Sequence, residues 1–113
     1  MKVKEIMTRE PLTIDPAAPL GTAVDVMRTK QIRHLPVVDD AGTLMGIITD
    51  RDLRHAALAP ALAEQLSLRA QRRLRGIAEA LDEMRVRDVM TWGPTTTHPE
   101  APVAHAALVM FEK

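Results

Sequence analysis

Apolar positions recur along this chain in two periods. Leu20, Ala23, Val24 and Met27 fall at i, i+3, i+4 and i+7, the stripe of an amphipathic helix. Pro19, just before them, suits the first helical position. Upstream, Leu12 to Ile14 read as a short extended piece closed by Asp15-Pro16. Downstream, "HLPVV" and the run from Leu44 to Ile48 read as two short strands. Asp39 to Gly42 between them is turn chemistry, so the pair predicts a hairpin. A helix is expected after Thr49, which makes the order β-α-β-β-α. Further on, Leu62, Leu66, Ala70, Leu74, Ile77, Leu81 and Met84 make one apolar face, predicting a mostly helical segment weakened at Gly76.

The pattern then starts again. "VKEIMTREPLTIDPAAPLGTAVDVMRTK" from Val3 aligns with "VRDVMTWGPTTTHPEAPVAHAALVMFEK" from Val86 at a constant offset of 83 residues and without a gap. Met7 meets Met90, Thr8 meets Thr91, and Pro11, Pro16 and Pro19 meet Pro94, Pro99 and Pro102. Prolines and methionines in register over this length identify an internal repeat. The hairpin and helix that follow Lys30 have no counterpart after Lys113. Three segments are therefore expected: 1–58 as a first repeat, 59–84 as a helical linker and 85–113 as the front half of a second repeat.

Composition narrows the classes. At 113 residues the chain is one small domain, able to bury roughly 65% of its unfolded surface. Trp92 and Phe111 are its only aromatic residues, so the core must be aliphatic. A formal net charge of zero gives no long-range pull toward nucleic acid or an acidic membrane. Absence of cysteine excludes disulfides, thiol catalysis and thiolate metal sites. "MKVKEIMT" lacks the apolar stretch of a signal peptide, and the run from Ala56 to Ala63 is too short to span a bilayer, so a cytoplasmic protein is expected. Arg69, Arg72, Arg73 and Arg75 cluster, but Glu64, Glu79, Asp82 and Glu83 lie among them and no aromatic residue is there to stack on bases. A solvated helix face is the better reading.

Candidate chemistry concentrates around the hairpin. Pro36 removes a ladder hydrogen bond, which places its strand at an edge or an irregularity, and Gly46 allows close approach of a backbone or ligand. Arg33 and His34 stand at the hairpin's start, where a basic pair can meet an anion; a snorkelling arginine and a packed or half-exposed histidine are the structural alternatives. Thr49 and Asp52 admit two readings. As N-cap and third helical residue they form a variant capping box. As a hydroxyl and a carboxylate side by side they can hold the diol of a ribose, at a helix start that tolerates anions.

"IRHLPVVDDAGTLMGIITDRDL", preceded by "VKEIMT" and a proline-bounded helix, resembles the cystathionine β-synthase (CBS) domain, most of all the stand-alone CBS-pair proteins of bacteria. The resemblance covers the first repeat, Val3 to about Leu58, and only Val86 to Lys113 of the second. It implies an α+β fold, with a small sheet, helices on one side and pseudo-two-fold pairing of repeats. It further implies a regulatory sensor that binds an adenosine-containing nucleotide (AMP, ADP, ATP or the S-adenosylmethionine class) in a cleft between repeats and does not catalyse. By the resemblance, Thr49 and Asp52 clamp the ribose, Ile32 and Ile47 wall the adenine, and Arg33 and His34 meet phosphates. Thr97, Ala101 and Ala106 supply the opposite wall. The second repeat lacks the hairpin and the Thr-x-x-Asp, so at most one ribose clamp is encoded.

The residues also bear on two other classes. A ligand-free dimerisation module is the alternative, since the apolar hairpin of the first repeat lacks the second hairpin that a full pair would set against it, and a homodimer through that hairpin is expected. An enzyme is disfavoured: there is no paired general acid and base, no P-loop and no metal-ligand spacing, and His55, His98 and His105 are scattered.

Overall fold

The computed structural model describes residues 1–63 and 83–112, with side chains described to Ala56 and again from Glu83. Most of the expected linker helix, with its arginine cluster, lies outside the described residues. The chain divides into two compact units, Leu12–Pro94 and Met1–Pro11 with Thr95–Lys113.

The larger unit contains the helix α1 (Leu20–Lys30), the strands β1 (His34–Val38) and β2 (Leu44–Thr49), the helix α2 (Asp50–Ala63), the short helix α3 (Val86–Val89) and the two-residue strand β3 (Thr91–Trp92). The three strands form an antiparallel sheet in the order β1-β2-β3. Alternation sets its faces. Leu35, Val37 and Ile48 are fully buried on one face, where Leu20, Ala23 and Met27 of α1 and Leu53 of α2 cover them. Each fully buried aliphatic side chain stabilises the fold by about 1.5–3 kcal/mol. The fold is α+β with helices packed on one face of a small sheet, as expected.

Local chemistry explains the joints. Asp39 Oδ1 accepts the Ala41 and Thr43 N–H groups, each at 2.9 Å, and Gly42 takes the turn's left-handed position at φ 82°. Pro36 is indeed at the edge. Its carbonyl accepts the Ile14 N–H at 3.0 Å, and N–H and C=O of one strand residue point the same way, so the missing N–H falls on the outer side of β1. Leu12–Ile14 is reduced to that single parallel bridge, Ile14 to Val37. One expectation needs correction. Pro19 is the N-cap of α1 and not its first helical residue, because its ψ of 144° is extended and it is bridged to Arg85.

Gly46 serves close approach of a backbone. A Cβ there would lie 2.5 Å from the Thr91 carbonyl oxygen and 2.9 Å from Met90 Sδ. β3 occupies that edge of β2, so the hairpin is paired along its second strand.

In the smaller unit a 3-10 turn (Val3–Glu5) meets the helix α4 (Val103–Glu112). The two units repeat one construction with partners exchanged. The Val86 and Arg87 N–H groups bond the Ala18 and Pro16 carbonyls at 2.9 and 3.0 Å; at the 83-residue offset, Val3 and Lys4 bond Ala101 and Pro99, both at 2.9 Å. Leu20 N–H to Met84 O at 2.8 Å has its mate in Val103 N–H to Met1 O at 3.0 Å. Each repeat's opening turn thus packs on the body of the other repeat. Val86 and Met90, from the second repeat, are buried in the core of the unit built on the first.

Candidate functional site

The junction from β2 into α2 holds the two residues singled out by spacing. Thr49 ends the strand and caps the helix. Its N–H donates to Asp52 Oδ2 at 3.0 Å, and the Asp52 N–H donates to Thr49 Oγ1 at 3.1 Å. This reciprocal pair satisfies two backbone donors at the helix start. The two bonds occupy one carboxylate oxygen and one lone pair of the hydroxyl. They leave the hydroxyl hydrogen and Oδ1 outside the cap, a donor and an acceptor side by side on two half-buried residues.

The loop before β1 is tied to the same place. Asp50, the first residue of α2, donates its N–H to the Arg33 carbonyl at 2.9 Å. His34 lies opposite Thr49 in the strand register and is exposed. Ile47 lies opposite Pro36, half-buried on the sheet face away from the α1 core.

A groove of about 570 Å³ runs between α1 and the start of α2. Val24, Met27, Ile32 and Leu53 floor it. Arg28, Arg33, Asp50 and Arg54 stand along it, with Arg54 Nη2 3.5 Å from Asp50 Oδ2. Of the residues expected in a ligand site, Ile32 and Arg33 line this groove. Thr49 and Asp52 adjoin it through Asp50 and Leu53, whereas His34 and Ile47 do not line it. Arg28 and Arg54 were not anticipated. Nothing in the sequence ties them together, since they sit on different helices that only the fold brings side by side.

The other three expected residues belong to the smaller unit. Thr97 and Ala106 line a pocket of about 320 Å³ together with Thr95, Val109 and Met110. Ala101 does not line it; its N–H bonds the His98 carbonyl and its own carbonyl accepts Val3. Elsewhere in that unit Lys2 and Lys4 hold Glu100 at 2.8 and 2.7 Å, and the two ammonium groups lower its carboxyl pKa below the ordinary value. Among the described residues no group of three or more His, Asp or Glu side chains is placed to hold a metal ion, and no helix is long and apolar enough to cross a membrane.

Comparison with known proteins gives a consistent answer. The CBS domain family model matches residues 3–59. A CBS domain-containing protein of Dictyostelium discoideum is 37% identical over 108 residues, spanning 96% of this chain and 69% of that protein. Among solved structures, a CBS domain pair in complex with 5′-methylthioadenosine and S-adenosyl-L-methionine has a TM-score of 0.69 at 28% identity, covering 99% of this chain and 73% of its own. The CBS-pair protein CBSX2 of Arabidopsis thaliana, in complex with AMP, has a TM-score of 0.70 at 26% identity, covering 98% and 74%.

Proposed function

Because the chain belongs to the CBS domain family, we propose that it is a regulatory module that binds an adenosine-containing nucleotide and performs no catalysis. One observation carries the reading. The Thr49–Asp52 cap holds a hydroxyl and a carboxylate in fixed relation while leaving a donor and an acceptor beyond its own two bonds. A ribose diol needs that combination. Arg33 beside the groove and His34 on the strand opposite Thr49 suit phosphates, and Ile32 in the groove offers a half-buried apolar contact to the base; Ile47, on the other sheet face, is proposed on the family resemblance. Thr97, Ala101 and Ala106 are proposed on the family resemblance alone. The relatives solved with adenosine compounds support the ligand class.

Isothermal titration with adenosine, AMP, ATP and S-adenosylmethionine tests this. Saturable binding of at least one, weakened in Asp52→Ala, is expected. A chain that binds none of them is a ligand-free interaction module instead.

We further propose a homodimer. Leu44 and Trp92 are 42% and 55% exposed on the described sheet, and Pro36, Val38 and Ile47 are only half-buried. Apolar surface of this kind favours a self-complementary contact.

A further inference from the structure

The groove between α1 and α2 has a charge that the ribose cap does not explain. Three guanidinium groups, Arg28, Arg33 and Arg54, stand along it against one carboxylate, Asp50, which already lies 3.5 Å from Arg54. The chain as a whole is neutral, so this excess is local. Its floor is different in kind: Met27 and Leu53 are nearly fully buried, and Val24 and Ile32 are half-buried beside them. An apolar floor under a cationic rim suits a ligand with a flat apolar part and several negative charges. It repels one that carries a sulfonium and an ammonium.

We propose that this groove selects nucleoside polyphosphates over sulfonium nucleosides, with Arg28 and Arg54 as the residues that set the preference. The proposal rests on the nucleotide-binding reading above and deepens it. Arg33 belongs to the basic pair that the family resemblance already assigns. Arg28, on the last turn of α1, and Arg54, one turn into α2, belong to no motif, and they reach the ligand only because the two helices flank one groove. Guanidinium groups suit the task, since their planar donors match phosphate oxygens two at a time. The rim is open to solvent, with the Arg54 side chain 67% exposed, so the attraction is screened by salt.

The test is a titration series on the full chain with adenosine, AMP, ADP, ATP, S-adenosylmethionine and inorganic tripolyphosphate, at low and high salt. Affinity is expected to rise from adenosine through AMP and ADP to ATP, with S-adenosylmethionine no tighter than adenosine, and the ATP advantage is expected to shrink as salt rises. Arg28→Gln and Arg54→Gln are each expected to weaken ATP by about 5- to 10-fold and adenosine by less than about 2-fold. Both residues are exposed, and an unchanged melting temperature confirms that each variant is folded. Adenosine binding with no gain from phosphates overturns this proposal and leaves the nucleotide-binding reading standing. Failure of every nucleotide and nucleoside to bind overturns both. Tripolyphosphate binding as tightly as ATP reduces the groove to a general anion patch and also overturns the selection proposed here.

Discussion

Replacing Asp52 by alanine removes a helix cap and a candidate ribose contact together, and the two losses have different sizes. Loss of the cap costs about 1 kcal/mol of stability. One or two hydrogen bonds from a charged group to a ligand are worth about 1.5–3 kcal/mol each, so affinity for the nucleotide is expected to fall roughly 10- to 100-fold. Thermal melts and titration on one protein preparation separate these effects; lower stability with unchanged affinity leaves Asp52 a cap alone. Gly46 makes a purely structural prediction. A methyl group at that position meets the Thr91 carbonyl at 2.5 Å, and a backbone oxygen cannot move without parting β3 from β2. Overpacking of this kind costs about 1–3 kcal/mol, so Gly46→Ala is expected to lower the melting temperature by roughly 5–15 °C. Glu100 predicts a pH effect. Its folded pKa is depressed by Lys2 first and Lys4 second. Its stabilising contribution is therefore present above the ordinary value of 4.5 and is lost as pH falls through the lower folded value. Carboxyl chemical shifts followed by NMR should give Glu100 a midpoint below 4.5; a midpoint at the ordinary value refutes the pairing.

Among the elements, legibility followed the length of the side-chain pattern. The α1 stripe and the alternation in β1 and β2 were readable because each buries one face, and burial selects residue type at a fixed period. The cap pair was readable for the same reason, since both side chains bond backbone within one turn. β3 was not, because two residues carry no period; its one trace is the glycine opposite it, Gly46. The exchange of opening turns between repeats was equally hidden. Its backbone bonds, such as Val86 N–H to Ala18 O, constrain no side chain, and the buried Val86 and Met90 are apolar positions that do not say which repeat they pack on. The end of α1 offers a test at this scale. Gln31 closes the helix in the left-handed conformation, φ 53°, with its N–H on the Met27 carbonyl. A residue with a Cβ is strained there by about 1–2 kcal/mol, while glycine gives back part of the gain through its freer unfolded chain. Gln31→Gly should therefore raise the melting temperature by a few degrees, and a fall would show that the Gln31 side chain contributes contacts of its own.

For the whole molecule the open question is what the sheet presents to a second copy. The expected interface is the hairpin of the first repeat. Val37, at its centre, cannot test it, because its side chain is fully buried beneath α1. A charge there unfolds the chain whether or not it dimerises. Leu44 is the sound position. It begins β2, pairs with Val38 across the hairpin and is 42% exposed. In a two-fold contact each residue near the axis meets its own copy, so one substitution introduces a like-charge pair. Sedimentation velocity at micromolar concentration should show twice the 12.5 kDa chain mass for the wild type and the single mass for Leu44→Glu, with both proteins melting at similar temperatures. A wild type that sediments at 12.5 kDa defeats the dimer outright. A dimer untouched by Leu44→Glu moves the interface off the hairpin, and the exposed Leu108, Met110 and Phe111 of α4 are then the next residues to charge.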